Sequence, residues 1–384
     1  MTLRPRRWEG SQHSRWERSQ SRVQGRSRSA LGTFPTCSER IRVTTATLPL
    51  KPITEDFKEA VAFALSQHET ARAFVAEVVE GGLRNVFLVG CGGSLTASYP
   101  VHFLLETRAG FPVFHMNSDE FNLRKPALLG EGSLVLVSSH TGTTKETVAA
   151  AHYAKSTGAK VAALTRDDDS PLAQAADIAF TYRSEDTVVA PKGVLFGQLA
   201  YALLEKTGVE GDYAAIRKAY EALPDALYTA QEEGEALAHS IATALADEPV
   251  TYVLSAGPNY GAGYGFTMCY LMEMQWKHGG SYHAGEFFHG AFEVVTEDQP
   301  VILFLGEDAT RPMAERTRRF LDKYTRKAHY VDSRIFSLPG VPEELRGDIT
   351  PIALDVFGTR LARHYESVRG HDLDKRRYMF QVEY

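Results

Sequence analysis

Apolar and polar positions follow two rhythms along the chain, one with a helical step and one of short unbroken apolar runs. Residues 54–82, TEDFKEAVAFALSQHETARAFVAEVVEGG, place apolar side chains at three- and four-residue steps and end on Gly81-Gly82. That spacing predicts a helix. NVFLVG (85–90), SLVLVSS (133–139) and KVAALT (160–165) are short apolar runs that predict buried strands, and IAFTY (178–182) predicts a weaker one. TASYPVHFLLETRAG (96–110) and ETVAAAHYAKSTGA (146–159) lie between them with helical patterns. Strands separated by helices of this length predict βαβ units and a parallel sheet.

The pattern then restarts. Residues 212–247 form a polar helical stretch broken near Pro224. VTYVLSAG (250–257) is a strand that ends in glycine, as NVFLVG does, and PNYGAGYGFTMCYLMEMQWKHGG (258–280) follows as a helix. PVILFLG (300–306), KAHYVDS (327–333) and ITPIALDVF (349–357) complete a second set of strands. Two halves with helix–strand–Gly–helix openings predict a duplicated α/β module, with boundaries at 49–211 and 212–384.

The first 48 residues break the rhythm. They hold ten Arg and three Glu, for a local charge of +7, and their first 29 residues are mostly Arg, Ser and Gln with little to bury. Of the overall −6, the remaining chain therefore carries −13. Such a composition does not offset the entropy of ordering, so residues 1–48 are expected to be a disordered basic tail. It lacks the apolar core of a secretory signal. The net negative charge of the body gives no prior for nucleic acid. No apolar stretch approaches the roughly 18–20 residues of a membrane span. Cys37, Cys91 and Cys269 are scattered without metal-ligand spacing, so a reducing, cytoplasmic setting is expected.

Two loops carry candidate chemistry. VGCGGSLTAS (89–98) and SSHTGTTKET (138–147) each follow a strand and open a helix. Gly92 and Gly93 permit a tight turn, and helix N-terminal amides attract anions. Ser94, Ser139, Thr141 and Thr144 add hydroxyls suited to the oxygens of a phosphate monoester. Two such loops at the ends of neighbouring parallel strands face one crevice.

With LTRDDDSPLAQAADI (164–178), these loops resemble the sugar isomerase (SIS) domain, a phosphosugar-binding module. The resemblance implies two tandem SIS domains, each a flavodoxin-like parallel sheet flanked by helices. It implies phosphosugar contacts from Ser94, Ser139, Thr141 and Thr144, beside Gly92, Gly93 and His140. His140 stands where the family often has Gln. SEDTVVAPKG (184–193) is similar to the family's closing segment but has Ala190 and Pro191 in place of its small hydroxyl residues, so no role is carried over.

In the second half, MEMQWKHGGSYHAGEFFHG (272–290) sets Glu273 in an apolar helical run, followed by His278, His283, Glu286 and His289. A partly desolvated carboxylate beside Met272, Met274 and Trp276 is expected to have a raised pKa, which suits a proton shuttle. His278 and His283 are read as polar residues lining a loop. Their five-residue separation across two glycines does not fit a helical metal pair, and no metal is expected.

This half resembles the isomerase half of glucosamine-6-phosphate synthase, in which a helical Glu and a His sixteen residues later transfer protons. Glu273 and His289 have that separation, and Glu286 is expected as a structural partner. The synthase's C-terminal Lys is replaced by Gln381. Residues 50–384 also resemble the fructosamine 6-phosphate deglycases, through SAGPNYGAGY, LMEMQWKHG, AGEFFHG and RRYMFQVEY. The resemblance implies hydrolysis of a phosphorylated Amadori compound to glucose 6-phosphate and an amine, without a cofactor. It also implies a homodimer with sites shared between subunits. A phosphosugar isomerase, a glucosamine-6-phosphate deaminase or aminotransferase, and a non-catalytic phosphosugar sensor are the alternatives.

Overall fold

The computed structural model describes residues 47–383. The disorder expected of the basic tail therefore lies outside the described residues, apart from its last two. There Leu48 N donates to Ser367 O at 3.0 Å, and Ser367 Oγ donates to Leu48 O at 2.6 Å.

The helix expected over 54–82 is two helices, α1 (Phe57–Ser66) and α2 (His68–Glu80). The break falls at Gln67, whose amide serves a distant backbone. Its Nε2 donates to Thr181 O at 2.6 Å and its Oε1 accepts from Thr181 N at 3.0 Å. Gln67 thus satisfies an edge strand that has no neighbour on that side.

The first sheet contains β1 (Asn85–Gly90), β2 (Val113–Asn117), β3 (Ser133–Ser138), β4 (Lys160–Thr165) and β5 (Ile178–Thr181). They run parallel in the order β2-β1-β3-β4-β5. α3 (Gly92–Thr96) and α4 (Tyr99–Arg108) link β1 to β2. α5 (Ser118–Arg124), α6 (Lys145–Ser156) and α7 (Pro171–Ala175) form the later crossovers, and α8 (Val189–Lys206) follows β5. Every residue of β1 and β3 is buried, as expected of strands covered on both faces. β2, which the apolar pattern did not announce, is a half-buried edge strand.

After α9 (Tyr213–Glu221) and α10 (Leu223–Leu245), the second sheet contains β6 (Val250–Ser255), β7 (His278–His283), β8 (Val301–Leu305) and β9 (Ala328–Asp332). They run parallel in the order β7-β6-β8-β9, repeating the 2-1-3-4 start of the first sheet. α11 (Tyr260–Gly265) continues into a π-helix over Phe266–Met274, α12 (Arg311–Tyr324) joins β8 to β9, and α13 (Arg346–Arg369) ends the set.

Two readings of this half are corrected. His278 and His283 lie not in a loop but at the two ends of β7, a half-exposed edge strand whose HGGSYH sequence has no apolar run. ITPIALDVF is not a strand; it lies inside α13, with Pro351 in the helix. That segment is buried on nearly all sides between α8 and α10, so its apolar run carries no helical period.

One hydrophobic core runs through both halves. Val86, Leu88, Leu134 and Leu136 of the first sheet share it with Val253, Ile302 and Phe304 of the second, through α8, α10 and α13. The opposite faces of the sheets have their own smaller cores, around Phe87 and Val135 and around Leu254 and Leu303. Among the described residues no helix is long and apolar enough to cross a membrane.

Candidate active site

The two loops read from the sequence meet at the carboxyl ends of β1 and β3. Gly90 and Ser138 are in register, and a Cβ on Gly90 would stand 3.2 Å from Ser138 O and 3.3 Å from Ser94 C. A side chain at Gly90 would press on backbone of both neighbours, which would have to give by a few tenths of an ångström. Gly92 takes φ +54°, the left-handed turn that starts α3. In the second loop, Ser139 Oγ lies 2.9 Å from Thr144 Oγ1 and accepts from Gly142 N at 3.2 Å. Thr141 Oγ1 lies 2.6 Å from Thr143 Oγ1. Thr144 is the N-cap of α6, yet its hydroxyl makes no capping bond and faces Ser139 instead.

The SPLAQAAD segment buttresses this second loop. Gly142 has φ +66°, and a Cβ there would overlap Ser170 and lie 2.8 Å from Thr165 Oγ1. Ser170 caps α7 by accepting from Ala173 N, and Leu172 N donates to Gly142 O at 3.0 Å. Asp177 fixes the far end, accepting from Val161 N at 2.8 Å.

His140, the residue in the Gln position, is half-buried. Its Nδ1 is 2.8 Å from the Tyr182 hydroxyl, and the rings stack at 5.9 Å. Burial first, then the Lys192 and Arg166 charges, push its pKa down to about 4, so the imidazole is neutral at neutral pH.

Glu273 comes from the second half. On its helix Leu271 faces the second sheet, where a Cβ on Gly279 would stand 3.5 Å from Leu271 Cδ1. Cys269 and Glu273, four residues apart, share another face. A Cβ on Gly93 would stand 3.5 Å from Cys269 Sγ, and Gly265 comes as near to Thr96. Glu273 is therefore one turn beyond the seat of its helix on the first loop. Burial raises its pKa, against the lowering by Arg376, whose Nε is 3.2 Å from Glu273 Oε1.

The apolar neighbours named from the sequence differ in exposure. Met272 and Trp276 are exposed, and Trp276 sits past the helix end at φ +52°. Met274, the third apolar neighbour, is partly buried against the core, and Arg376 of the C-terminal segment lies beside the carboxylate. π-helical turns recur at functional sites.

His289 is elsewhere. It is exposed on a 3₁₀ turn, Glu286–His289, that follows the carboxyl end of β7, and Glu286 is exposed beside it. Glu273 precedes the amino end of the same strand. The six residues of β7 put roughly 20 Å between those ends. The loops 91–94 and 139–144 thus lie side by side at the ends of β1 and β3, with Glu273 one turn beyond Cys269, which seats on Gly93, while His289 lies beyond the other end of β7. His283 Nδ1 accepts from Gly285 N at 3.1 Å, and His278 is exposed. Gln381 is exposed in the C-terminal segment.

Two charged residues escaped the sequence reading. Lys192, in the SEDTVVAPKG segment, is buried with Nζ donating to Ser94 Oγ at 3.0 Å. Arg376 reaches Glu273 from 103 positions further along the chain. Only RRYMFQVEY, quoted without a role, pointed to it.

Comparison with known proteins gives the family and the fold. Residues 83–203 match the SIS domain family. The chain is 36% identical over 324 residues to the fructosamine deglycase FrlB of Bacillus subtilis (strain 168), covering 82% of this chain and 96% of that protein. It is 26% identical over 328 residues to the fructoselysine 6-phosphate deglycase of Escherichia coli (strain K12), covering 85% and 94%. A crystal structure of a candidate phosphosugar isomerase from Bacillus subtilis superposes with a TM-score of 0.78 at 33% identity, covering 85% and 99%.

Proposed function

The chain belongs to the fructosamine deglycase family of SIS-domain proteins, and from that premise we propose how its residues perform the reaction. It is an enzyme that converts a fructosamine 6-phosphate, with water, to glucose 6-phosphate and a free amine. The substrate phosphate sits at the loops 91–94 and 139–144, held by the hydroxyls of Ser94, Ser139, Thr141 and Thr144 and by free amides at the start of α3 and α6. No further cofactor or metal enters the scheme.

With the phosphate there, the amine-bearing first carbon lies toward Glu273. Its carboxylate removes a proton from that carbon to give an enaminol, then returns a proton to the second carbon to give the aldimine of glucose 6-phosphate. Water adds to the aldimine carbon and the amine leaves with a proton. His289 transfers protons at the ring oxygen and the opened hydroxyl. The observation that carries this reading is the seating of Cys269 on Gly93, which sets Glu273 one turn from the phosphate loop.

Because β7 holds Glu273 and His289 apart, His289 serves the site of a second copy of the chain. The enzyme is then a homodimer in the cytoplasm with composite sites. The test mixes two variants. Glu273→Gln and His289→Ala, assayed alone for glucose 6-phosphate release, each lose at least about 10²-fold in turnover. Mixed under conditions of subunit exchange, they recover roughly a quarter of wild-type activity, since half the dimers are mixed and each has one intact site. Full activity in either single variant removes that residue from the mechanism. No recovery despite exchange refutes the composite site.

A further inference from the structure

The phosphate loops supply hydroxyls and amides, but a full positive charge lies directly beneath them. Lys192 is only 2% exposed. Its Nζ donates to Ser94 Oγ at 3.0 Å and lies 5.9 Å from the Tyr182 ring centroid. An ammonium has three protons to donate, and Ser94 takes one. Among the described residues it makes no ion pair. Buried charges are ordinarily paired, because removal from water is costly. A buried, incompletely partnered ammonium against a proposed phosphate ligand is the arrangement of a site that an anion completes.

We propose that Lys192 is the cationic floor of the phosphate site, orienting Ser94 and supplying the charge that selects a phosphate dianion. The proposal rests on the reading of loops 91–94 and 139–144 as the phosphate pocket. Its mechanism follows from the donor inventory. Lys192 has no acceptor, so Ser94 Oγ accepts from it. The one proton of Ser94 is then free to point outward, toward a phosphate oxygen. The ammonium adds attraction through a short path of low dielectric.

Burial also sets a pH signature. It pushes the pKa of Lys192 down to about 8, against the raising effect of Asp355 on α13. The other groups facing the ammonium titrate outside the upper range. Asp355 is pushed up to about 7 by burial, and Cys269 up to about 12. His140 is pushed down to about 4, and Tyr182 is raised well above its ordinary value. A phosphate monoester is already dianionic above about pH 6. From about pH 8 to about pH 9.5, loss of the ammonium proton therefore weakens phosphate binding, by up to about tenfold per pH unit.

The test is calorimetric binding of glucose 6-phosphate to wild type and Lys192→Met. The substitution is expected to lower affinity on the order of 10- to 100-fold at pH 7.5, the effect of one charge-assisted contact. It also abolishes the fall in affinity above about pH 8. The melting temperature of the ligand-free variant stays the same or rises, because an apolar isostere removes a buried, unpaired charge. A residue with a purely structural role would lower it. Wild-type affinity that is flat from about pH 8 to about pH 9.5 overturns the proposal without recourse to any variant. Wild type that binds, with a variant that binds equally, overturns Lys192 alone. Wild type that does not bind glucose 6-phosphate overturns the phosphate pocket and the role of Lys192 with it.

Discussion

Replacing Gly142 with alanine separates backbone strain from crowding in the second loop. Gly142 has φ +66°, and its missing side chain is the space occupied by Ser170, with Thr165 Oγ1 2.8 Å away. The left-handed backbone alone costs a non-glycine residue about 1–2 kcal/mol. Pushing Ser170 aside adds an overpacking cost of about 1–3 kcal/mol. Turning its hydroxyl away from Ala173 N forfeits a helix cap worth about 1 kcal/mol. Gly142→Ala is therefore expected to destabilise by about 3–6 kcal/mol, lowering the melting temperature by roughly 10 °C.

Two controls calibrate the prediction. Gly92 is also left-handed at φ +54° but a Cβ there meets nothing within 4 Å, so Gly92→Ala is expected to lose only about 1–2 kcal/mol. Gly110 is unstrained and open, so Gly110→Ala is near neutral. Denaturant melts of the three variants provide the comparison. If Gly142→Ala matches Gly92→Ala, Ser170 does not buttress the loop and the structural role given to SPLAQAAD is wrong.

The remaining predictions concern Glu273 and the ends of the chain. Arg376 lowers the Glu273 pKa and burial raises it. Arg376→Met removes the lowering effect, so the acidic limb of the turnover–pH profile moves to higher pH, and activity falls on the acid side first. An unmoved limb excludes Glu273 as the titrating base. Removing residues 2–46 is expected to leave turnover and melting temperature unchanged, by the composition of that segment. Removing residues 2–50 also deletes the two hydrogen bonds between Leu48 and Ser367, and is expected to destabilise by about 1–2 kcal/mol. Equal melting temperatures for the two truncations would show that this contact does not stabilise the body.

The sequence was most legible where burial is two-sided. β1, β3, β4, β6 and β8 are short apolar runs because helices cover both their faces. The same rule misled at ITPIALDVF, where a helix buried on nearly all sides shows an equally unbroken run. β2 and β7 escaped notice because edge strands are half exposed and need no such run. The loops 91–94 and 139–144 were legible as turns that meet at neighbouring strand ends because their pattern is local, a strand end, glycines and hydroxyls within ten residues. Gln67, Lys192 and Arg376 were not, since each acts on a partner about a hundred positions away. The sixteen residues from Glu273 to His289 were visible as a spacing, but their content was not. They contain a whole β-strand, which sets the two side chains apart rather than together.

The central claim, cleavage of a carbon–nitrogen bond in a phosphorylated Amadori compound at Glu273, is tested most directly by a substrate panel. Purified wild type and Glu273→Gln are supplied in parallel with fructosyl-lysine 6-phosphate and its analogues from other amino acids, fructose 6-phosphate and glucosamine 6-phosphate. Glucose 6-phosphate, free amine and ammonia are quantified. The account predicts equimolar glucose 6-phosphate and amine from at least one phosphorylated Amadori compound, a loss of at least about 10²-fold in Glu273→Gln, and no comparable turnover of the other two sugars. Turnover of fructose 6-phosphate or glucosamine 6-phosphate with none of any Amadori compound would contradict it.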